Sequence, residues 1–163
     1  MKDKLLIREI TSREDVVLPE VSRLFTEMYD HMREHGLMLN IPADGCERWL
    51  ATALQGPGRF SRLIVCRSNL KVTGFAHAGI RITPDYLGNR KVGVISHVFV
   101  EPQVRGRGAG KEMVKDLERW FAEKQVHSVE LQVLTKNIPA VVFWEKLGYL
   151  PELMQFRKPF IDG

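Results

Sequence analysis

Cysteine is scarce: Cys46 and Cys66 are the two in 163 residues, so at most one disulfide could form. No CxxC pair and no His/Cys group with metal-ligand spacing occurs. These gaps exclude a disulfide-stapled scaffold and a zinc-built one, and no metal is expected in the site. Long apolar runs are also missing. Nothing approaches the ~18 uninterrupted apolar residues of a membrane helix, so no membrane partner is expected. The opening MKDKLLIREI has a short apolar stretch that Arg8 and Glu9 interrupt. No secretory signal is expected there, and the expectation is a cytoplasmic chain with reduced thiols. Internal repeats, low-complexity tracts and linkers are absent, which predicts one domain over residues 1–163. A strong charge of one sign is absent too: the net charge is +4, too mild to imply nucleic acid. What the chain does have is 44% hydrophobic residues, enough apolar material to offset the entropy of ordering.

The apolar spacing alternates between helical and strand periods. Leu5 to Ile10 reads as an opening strand. Leu18, Val21, Phe25 and Met28 predict an amphipathic helix reaching about Glu34 and ended by Gly36. Trp49, Leu50, Ala53 and Leu54 predict a short second helix, closed by Gly56-Pro57-Gly58. Strands follow at Arg62–Arg67, Val72–Ile82 and Val92–Val100, joined by short turns, which predicts an antiparallel meander. Met113, Leu117, Trp120 and Phe121 predict a helix from about Gly108 to Lys124. Val129, Leu131 and Val133 alternate as a strand, Ala140 to Leu147 forms a last helix, and Tyr149 to Phe160 is a closing extended segment. Strand, helix and strand in that order predict a parallel pair. The fold class is therefore α+β (mixed α/β).

The segment richest in chemistry is Val100-Glu-Pro-Gln-Val-Arg105-Gly106-Arg107-Gly108-Ala109-Gly110-Lys111. Three of the 13 glycines fall within five residues here, between a strand and a helix. Glycine admits positive φ and close approach of a ligand to the amides. A helix N-terminus presents free N–H groups and partial positive charge, which attract phosphate. Arg105, Arg107 and Lys111 add cations, so the segment reads as a pyrophosphate cradle. It is not a P-loop, because the first glycine of GxxxxGK[ST] falls on Arg105 and Glu112 stands where Ser/Thr is needed. It is not a dinucleotide fingerprint either, because the third glycine of GxGxxG falls on Lys111 or Met113. The pattern that fits is [RQ]xxGx[GA].

With the strand ending in V-x-P, this turn and the later Asn137 and Ala140-Val-Val-Phe-Trp-Glu-Lys-Leu-Gly148-Tyr149, the sequence resembles the GCN5-related N-acetyltransferase (GNAT) family. The resemblance covers most of the chain and is strongest from Val92 to Tyr149. It implies a mixed sheet with a splayed parallel strand pair, flanked by helices, and acetyl-CoA as donor without a metal. It implies that the backbone of Val98, Phe99 and Val100 pairs with the pantetheine arm. The amides from Gly106 to Lys111 (with Gly108, Ala109 and Gly110 at their centre) would hold the pyrophosphate. Asn137 would touch the pantetheine, and the helix carrying Trp144 would flank the thioester.

An ammonium acceptor must lose a proton before it attacks, so a general base is expected. His97, on the central strand, has the right unperturbed pKa. Its bland reading is a histidine packed in the core. Ser96, on the other face by alternation, is a candidate water relay. Glu130 is a further candidate base, since Gln132 stands where relatives place a catalytic Glu. Relatives often use a Tyr seven residues after the Asn as general acid; here that position is Trp144, whose indole does not titrate usefully. Tyr149 is the alternative acid. The amine acceptor, a small molecule or a peptide, is expected near Tyr29, Asp30, His31 and Glu34 and the loop with Asp85 and Tyr86. Each of these could equally be solvated surface. Two other functions remain open at this level. One is an acyl-CoA-binding module without turnover, suggested by Trp144 and Gln132. The other is nucleic-acid contact by the basic loop, disfavoured because no aromatic residues interleave with its cations. Exposed strand edges leave room for a homodimer.

Overall fold

The alternating segments form one mixed sheet in the computed structural model, which describes residues 4–161. Strands β1 (Leu6–Ile10), β2 (Ser61–Ser68), β3 (Lys71–Ile82), β4 (Lys91–Val100) and β5 (Ser128–Leu131) lie in the order β1-β2-β3-β4-β5. The first three pairings are antiparallel and β4 with β5 is parallel, as the strand–helix–strand order predicts. Helices α1 (Leu18–Glu34) and α2 (Gly45–Ala53) precede β2, α3 (Ala109–Glu123) crosses from β4 to β5, and α4 (Ile138–Lys146) follows β5. No helix among the described residues is long and apolar enough to cross a membrane.

Two apolar layers hold these elements. Leu24 and Phe25 of α1 pack with Phe75 and Phe99 on one face of the sheet. Met113, Leu117 and Phe121 of α3 pack with Ile64, Ala76 and Ile95 on the other, joined by Phe143 and Trp144 from α4 and by Leu147 at its C-cap. Helix α3 lies so close to β4 that a Cβ on Gly93 would sit 2.6 Å from the Phe121 ring. The glycine is therefore there for space.

One irregularity decides the site. His77 faces His97 across β3 and β4, but Ala78 faces Ile95, so Ser96 is an extra residue in β4. A bulge of this kind moves every residue beyond it to the opposite face. Ile95 consequently packs against α3, while His97 and Phe99 face α1. Simple alternation puts Ser96 opposite His97. The bulge instead brings its Oγ to 2.8 Å from His97 Nδ1.

Two other expectations change. Strand β5 stops at Leu131 instead of running to Val133, because only Val92–Ile95 pairs with Ser128–Leu131 before the two strands part. Residues 149–161 take up no strand pairing among the described residues. Six of their apolar side chains, including Leu153 at 91% and Phe156 at 87%, stand exposed.

Candidate active site in the opening between two strands

Beyond Ile95 and Leu131 the parallel pair opens, and a cleft enters the sheet there. Ser96, His97 and Val98 line it from β4, Gln132 to Leu134 from the chain after β5, and Asn137, Ala140 and Trp144 from α4. Met28 and Met32 of α1 close one side. A β4 backbone without a β5 partner keeps peptide groups available for an extended ligand.

The glycine-rich turn lies at the end of β4. Gly106 and Gly108 have φ of 79° and 90°, and nothing lies within 4 Å of a Cβ built on either. The backbone conformation therefore demands glycine here, and the space beside it stays open. Gly108 is the N-cap of the 15-residue α3, so the amides of Ala109, Gly110 and Lys111 lack intrahelical acceptors and sit at the positive end of the helix dipole. Gly110 has a separate reason: a Cβ there would meet the Phe143 ring at 3.3 Å, so glycine lets α3 and α4 approach.

Arg105, expected among the phosphate cations, folds back on β4. Its Nε donates to the Val100 carbonyl at 2.9 Å and its guanidinium lies 5.4 Å over the Phe99 ring. Lys111 is exposed on the first turn of α3. Just before the turn, Glu101 is buried between Arg23, at 2.7 Å, and Lys71, at 3.2 Å. Burial raises its pKa, but these two cations outweigh that and leave it below the usual carboxylate range. Glu101 thereby ties the start of the cradle to α1 and β3.

His97 is 7% exposed, with Trp49, Phe25 and Phe75 at 4.7, 5.7 and 6.2 Å between ring centroids. Burial, and then the nearby His77, push its pKa down to about 3. Burial alone pushes His77 down to about 4. Both rings are neutral at pH 7, and a continuous hydrogen-bond chain links them. Tyr29 Oη lies 3.1 Å from His97 Nε2, and His97 Nδ1 lies 2.8 Å from Ser96 Oγ. Ser96 Oγ lies 2.6 Å from His77 Nδ1, and His77 Nε2 lies 2.8 Å from Ser61 Oγ. Ser61 Oγ donates to the Ala53 carbonyl at 2.5 Å.

Buried neutral histidines make stability depend on pH. Unfolded, each ring titrates near 6.5; folded, each resists protonation down to about 3 or 4. Their contribution is full above pH 6.5 and is lost as the pH falls toward those folded values. Unfolding free energy measured by urea titration should therefore fall by up to ~2.7 kcal/mol per pH unit from these two rings between pH 6 and 4. His97→Gln should halve that slope. A flat stability curve in this window would contradict the buried, neutral assignment.

The remaining candidates are placed as follows. Phe99 turns its side chain into the α1 core, leaving its backbone to the cleft side, whereas the Val98 side chain lines the cleft. Asn137 is the N-cap of α4, its Oδ1 accepting from Ala140 N at 3.3 Å, so Nδ2 is the group it can offer a ligand. Trp144 lines the cleft and packs edge-on against Phe143 and Tyr149. The Tyr149 hydroxyl donates to Glu118 on α3 at 2.9 Å, and burial followed by that carboxylate raises its pKa. It borders a separate groove between the C-terminal part of α3 and β5. Glu130 is exposed and held bidentately by Arg81 at 2.8 and 2.9 Å. In α1, Asp30 pairs with Arg33, and His31 packs against the tilted ring of His35, with centroids 4.3 Å apart, beside Glu34. Burial, then His35 and Arg105, lower the His31 pKa, so this helix end borders the cradle. Asp85 caps its own turn by accepting from Asn89 at 2.8 Å, and Tyr86 is exposed. Of the acceptor candidates, Tyr29 alone bonds to His97.

Sequence reasoning missed His77, Ser61, Trp49 and Glu101. The hairpin offered a signal for the first: Ile82 pairs with Lys91, and counting back from there puts His77 within one residue of His97.

The site is thus a sheet opened between two parallel strands, with a glycine-turned helix N-terminus at its mouth. The acetyltransferase (GNAT) family model matches residues 43–149, and the chain belongs to that family. It is 37% identical over 81 residues to the glucosamine 6-phosphate N-acetyltransferase of Trypanosoma brucei brucei, covering 49% of this chain and 53% of that protein. The chain thus spans about half the length of that relative, and less of the other curated relatives it matches. A solved structure of a BH1408 variant from Bacillus halodurans superposes with a TM-score of 0.79 at 27% identity, over 95% of this chain and 99% of that one. Aminoglycoside N-acetyltransferase AAC(6')-Iy in complex with CoA shares the fold, with a TM-score of 0.77 at 19% identity over 98% and 97% of the two chains.

Proposed function

We propose that the protein is an N-acetyltransferase that moves an acetyl group from acetyl-CoA directly to a primary amine of a small molecule or peptide. The observation that carries this reading is the α3 N-terminus, opened by two left-handed glycines at the mouth of the β4/β5 opening. The amides of residues 109–111 hold the pyrophosphate with help from Lys111. The β4 backbone at Val98–Val100 and Nδ2 of Asn137 hold the pantetheine. Acetyl-CoA supplies an activated acyl carbon.

His97 and Tyr29 receive the proton that the ammonium must lose. The proton passes to Tyr29 Oη as the Tyr29 proton passes to His97 Nε2, and the pair gives it up to the solvent of the cleft within the same step, leaving a neutral amine and a neutral relay. The amine then attacks the thioester carbonyl carbon: an N–C bond forms, the C–S bond breaks, and the nitrogen sheds its second proton to solvent as the neutral amide forms. The indole of Trp144 does not release its N–H proton to the departing sulfur, because it does not titrate usefully, and Tyr149 is engaged by Glu118. The sulfur leaves as thiolate, which its ordinary pKa near ~8.5 permits, and takes a proton from solvent.

The relative from Trypanosoma places amino sugars and their phosphates first in an acceptor panel, followed by aminoglycosides, amino acids, polyamines and peptides. Mass spectrometry of each with acetyl-CoA and the protein should find one class acetylated, with free thiol released in step. If acetyl-CoA binds but no amine releases thiol, the alternative of an acyl-CoA-binding module without turnover takes its place, as Trp144 and Gln132 suggest.

A homodimer is part of the same reading. The outer edge of β5 has no strand partner among the described residues, and the exposed apolar segment 150–161 offers strand-forming cover for the same edge on a second copy. Light scattering should give twice the chain mass, and Phe156→Asp should return it to one. A wild-type protein of single-chain mass at tens of micromolar would rule the dimer out.

A further inference from the structure

We infer that Ser61 and His77 are positioning residues that fix which nitrogen of His97 carries its proton, and so turn the lone pairs of Tyr29 toward the acceptor. The protons of the chain are ordered from a single fixed end. Ala53 is the last residue of α2, and its carbonyl is one of those a helix C-terminus leaves without an intrahelical donor. A carbonyl can only accept, so the one hydroxyl proton of Ser61 points to it across 2.5 Å. Ser61 Oγ must then accept from His77, which places the His77 proton on Nε2. A neutral His77 protonated on Nε2 has a bare Nδ1, and among the described residues the donor it meets is the Ser96 hydroxyl at 2.6 Å. Ser96 has one proton. Once that is given to His77, its oxygen accepts from His97, placing the His97 proton on Nδ1. His97 Nε2 is left as an acceptor, and the Tyr29 hydroxyl donates to it.

The alternative polarity fails at the far end. If Ser96 turned its proton to the His77 carbonyl, 3.2 Å away, His77 Nδ1 would have to become a donor. His77 would then need both nitrogens protonated, because Ser61 still requires a donor on Nε2. A doubly protonated ring buried in this layer carries a large desolvation cost. One helix-terminal carbonyl therefore orients five side chains in one direction.

The consequence concerns Tyr29, and it rests on the proposed acetyl transfer. With its proton committed to His97, Tyr29 meets an incoming ammonium as an acceptor and not as a competing donor. The bulge at Ser96 is what makes the chain possible, because without it the Ser96 hydroxyl would face α3.

The tautomers can be read without any substrate. Long-range proton–nitrogen correlation spectra of the full, uniformly nitrogen-15-labelled chain at pH 7 should find His97 protonated on Nδ1 and bare on Nε2, with His77 the reverse. In Ser61→Ala the anchor is gone, so both polarities become allowed. The His77 and His97 resonances should move from single tautomers to mixtures, although Ser61 does not touch His97. Ser61→Thr, which keeps the hydroxyl, should retain the wild-type pattern. A wild-type His97 protonated on Nε2 would overturn the inference even if neither variant folds. Unchanged tautomers in a folded Ser61→Ala would overturn it as well. Wild-type tautomers as stated, in a protein that acetylates no amine, would leave the positioning in place and remove the functional reading instead.

Discussion

Gly108→Glu should weaken acetyl-CoA binding by at least ~100-fold in a fluorescence titration, equivalent to about 2.7 kcal/mol. Two effects add at this position. The backbone is left-handed, with φ of 90°, and any residue with a Cβ pays on the order of 1–2 kcal/mol to stay there. A carboxylate at the cap would also take the place meant for the pyrophosphate and repel it, against amides that favour negative charge. Gly108→Ala separates the two, because it adds strain without charge and should cost no more than about tenfold. The position is open to solvent, with no atom within 4 Å of the new Cβ, so the core is untouched and the melting temperature of either variant should fall only by the several degrees that ~1–2 kcal/mol of backbone strain implies. Binding retained by Gly108→Glu would mean that the phosphates lie elsewhere.

His97→Gln should lower kcat for the best acceptor by ~10²–10⁴, the usual contribution of a positioned base, with the acetyl-CoA dissociation constant within a few-fold of wild type. The reason is geometric. His97 is the titratable ring that lines the cleft, and its Nε2 is the acceptor at the end of the relay. A folded-state pKa of about 3 makes it neutral at every physiological pH, so its lone pair is always available. The same burial makes it a weak base, so the proton it takes must be passed on during the step. The rate should therefore track the ionisation of the acceptor amine more than that of an ordinary imidazole. An unchanged rate and pH profile in His97→Gln would remove it from the mechanism.

Much of the sheet and the cradle was legible because each rests on local rules. The apolar runs in β2 to β4, the helical stripe through Met113, Leu117 and Phe121, and the glycines at 106 and 108 each state their structure without reference to distant residues. The relay was not legible in the same way. His97 stood out as a histidine on a central strand, but its partners come from α1, β2 and β3 through a one-residue bulge. Alternation carries no signal for an inserted residue, so Ser96 seemed to face away from His97. Arg105 is a related case: its charge is legible in the sequence, but its contacts with the Val100 carbonyl and the Phe99 ring depend on the folded strand. The strand read to Val133 ends at Leu131 for a tertiary reason, the parting of β5 from β4. Residues 150–161 have strand-like composition but no neighbour in their own chain to pair with, and composition cannot report a missing neighbour.

The central claim is that the opening between β4 and β5, anchored at the α3 N-terminus, is an acetyl-CoA site. Calorimetric titration of the full chain with acetyl-CoA tests it most directly. A saturable, one-to-one isotherm at tens of micromolar protein, abolished by prior addition of excess CoA, is the predicted result. No binding heat across a range of temperatures, at any concentration up to the millimolar range, would contradict it.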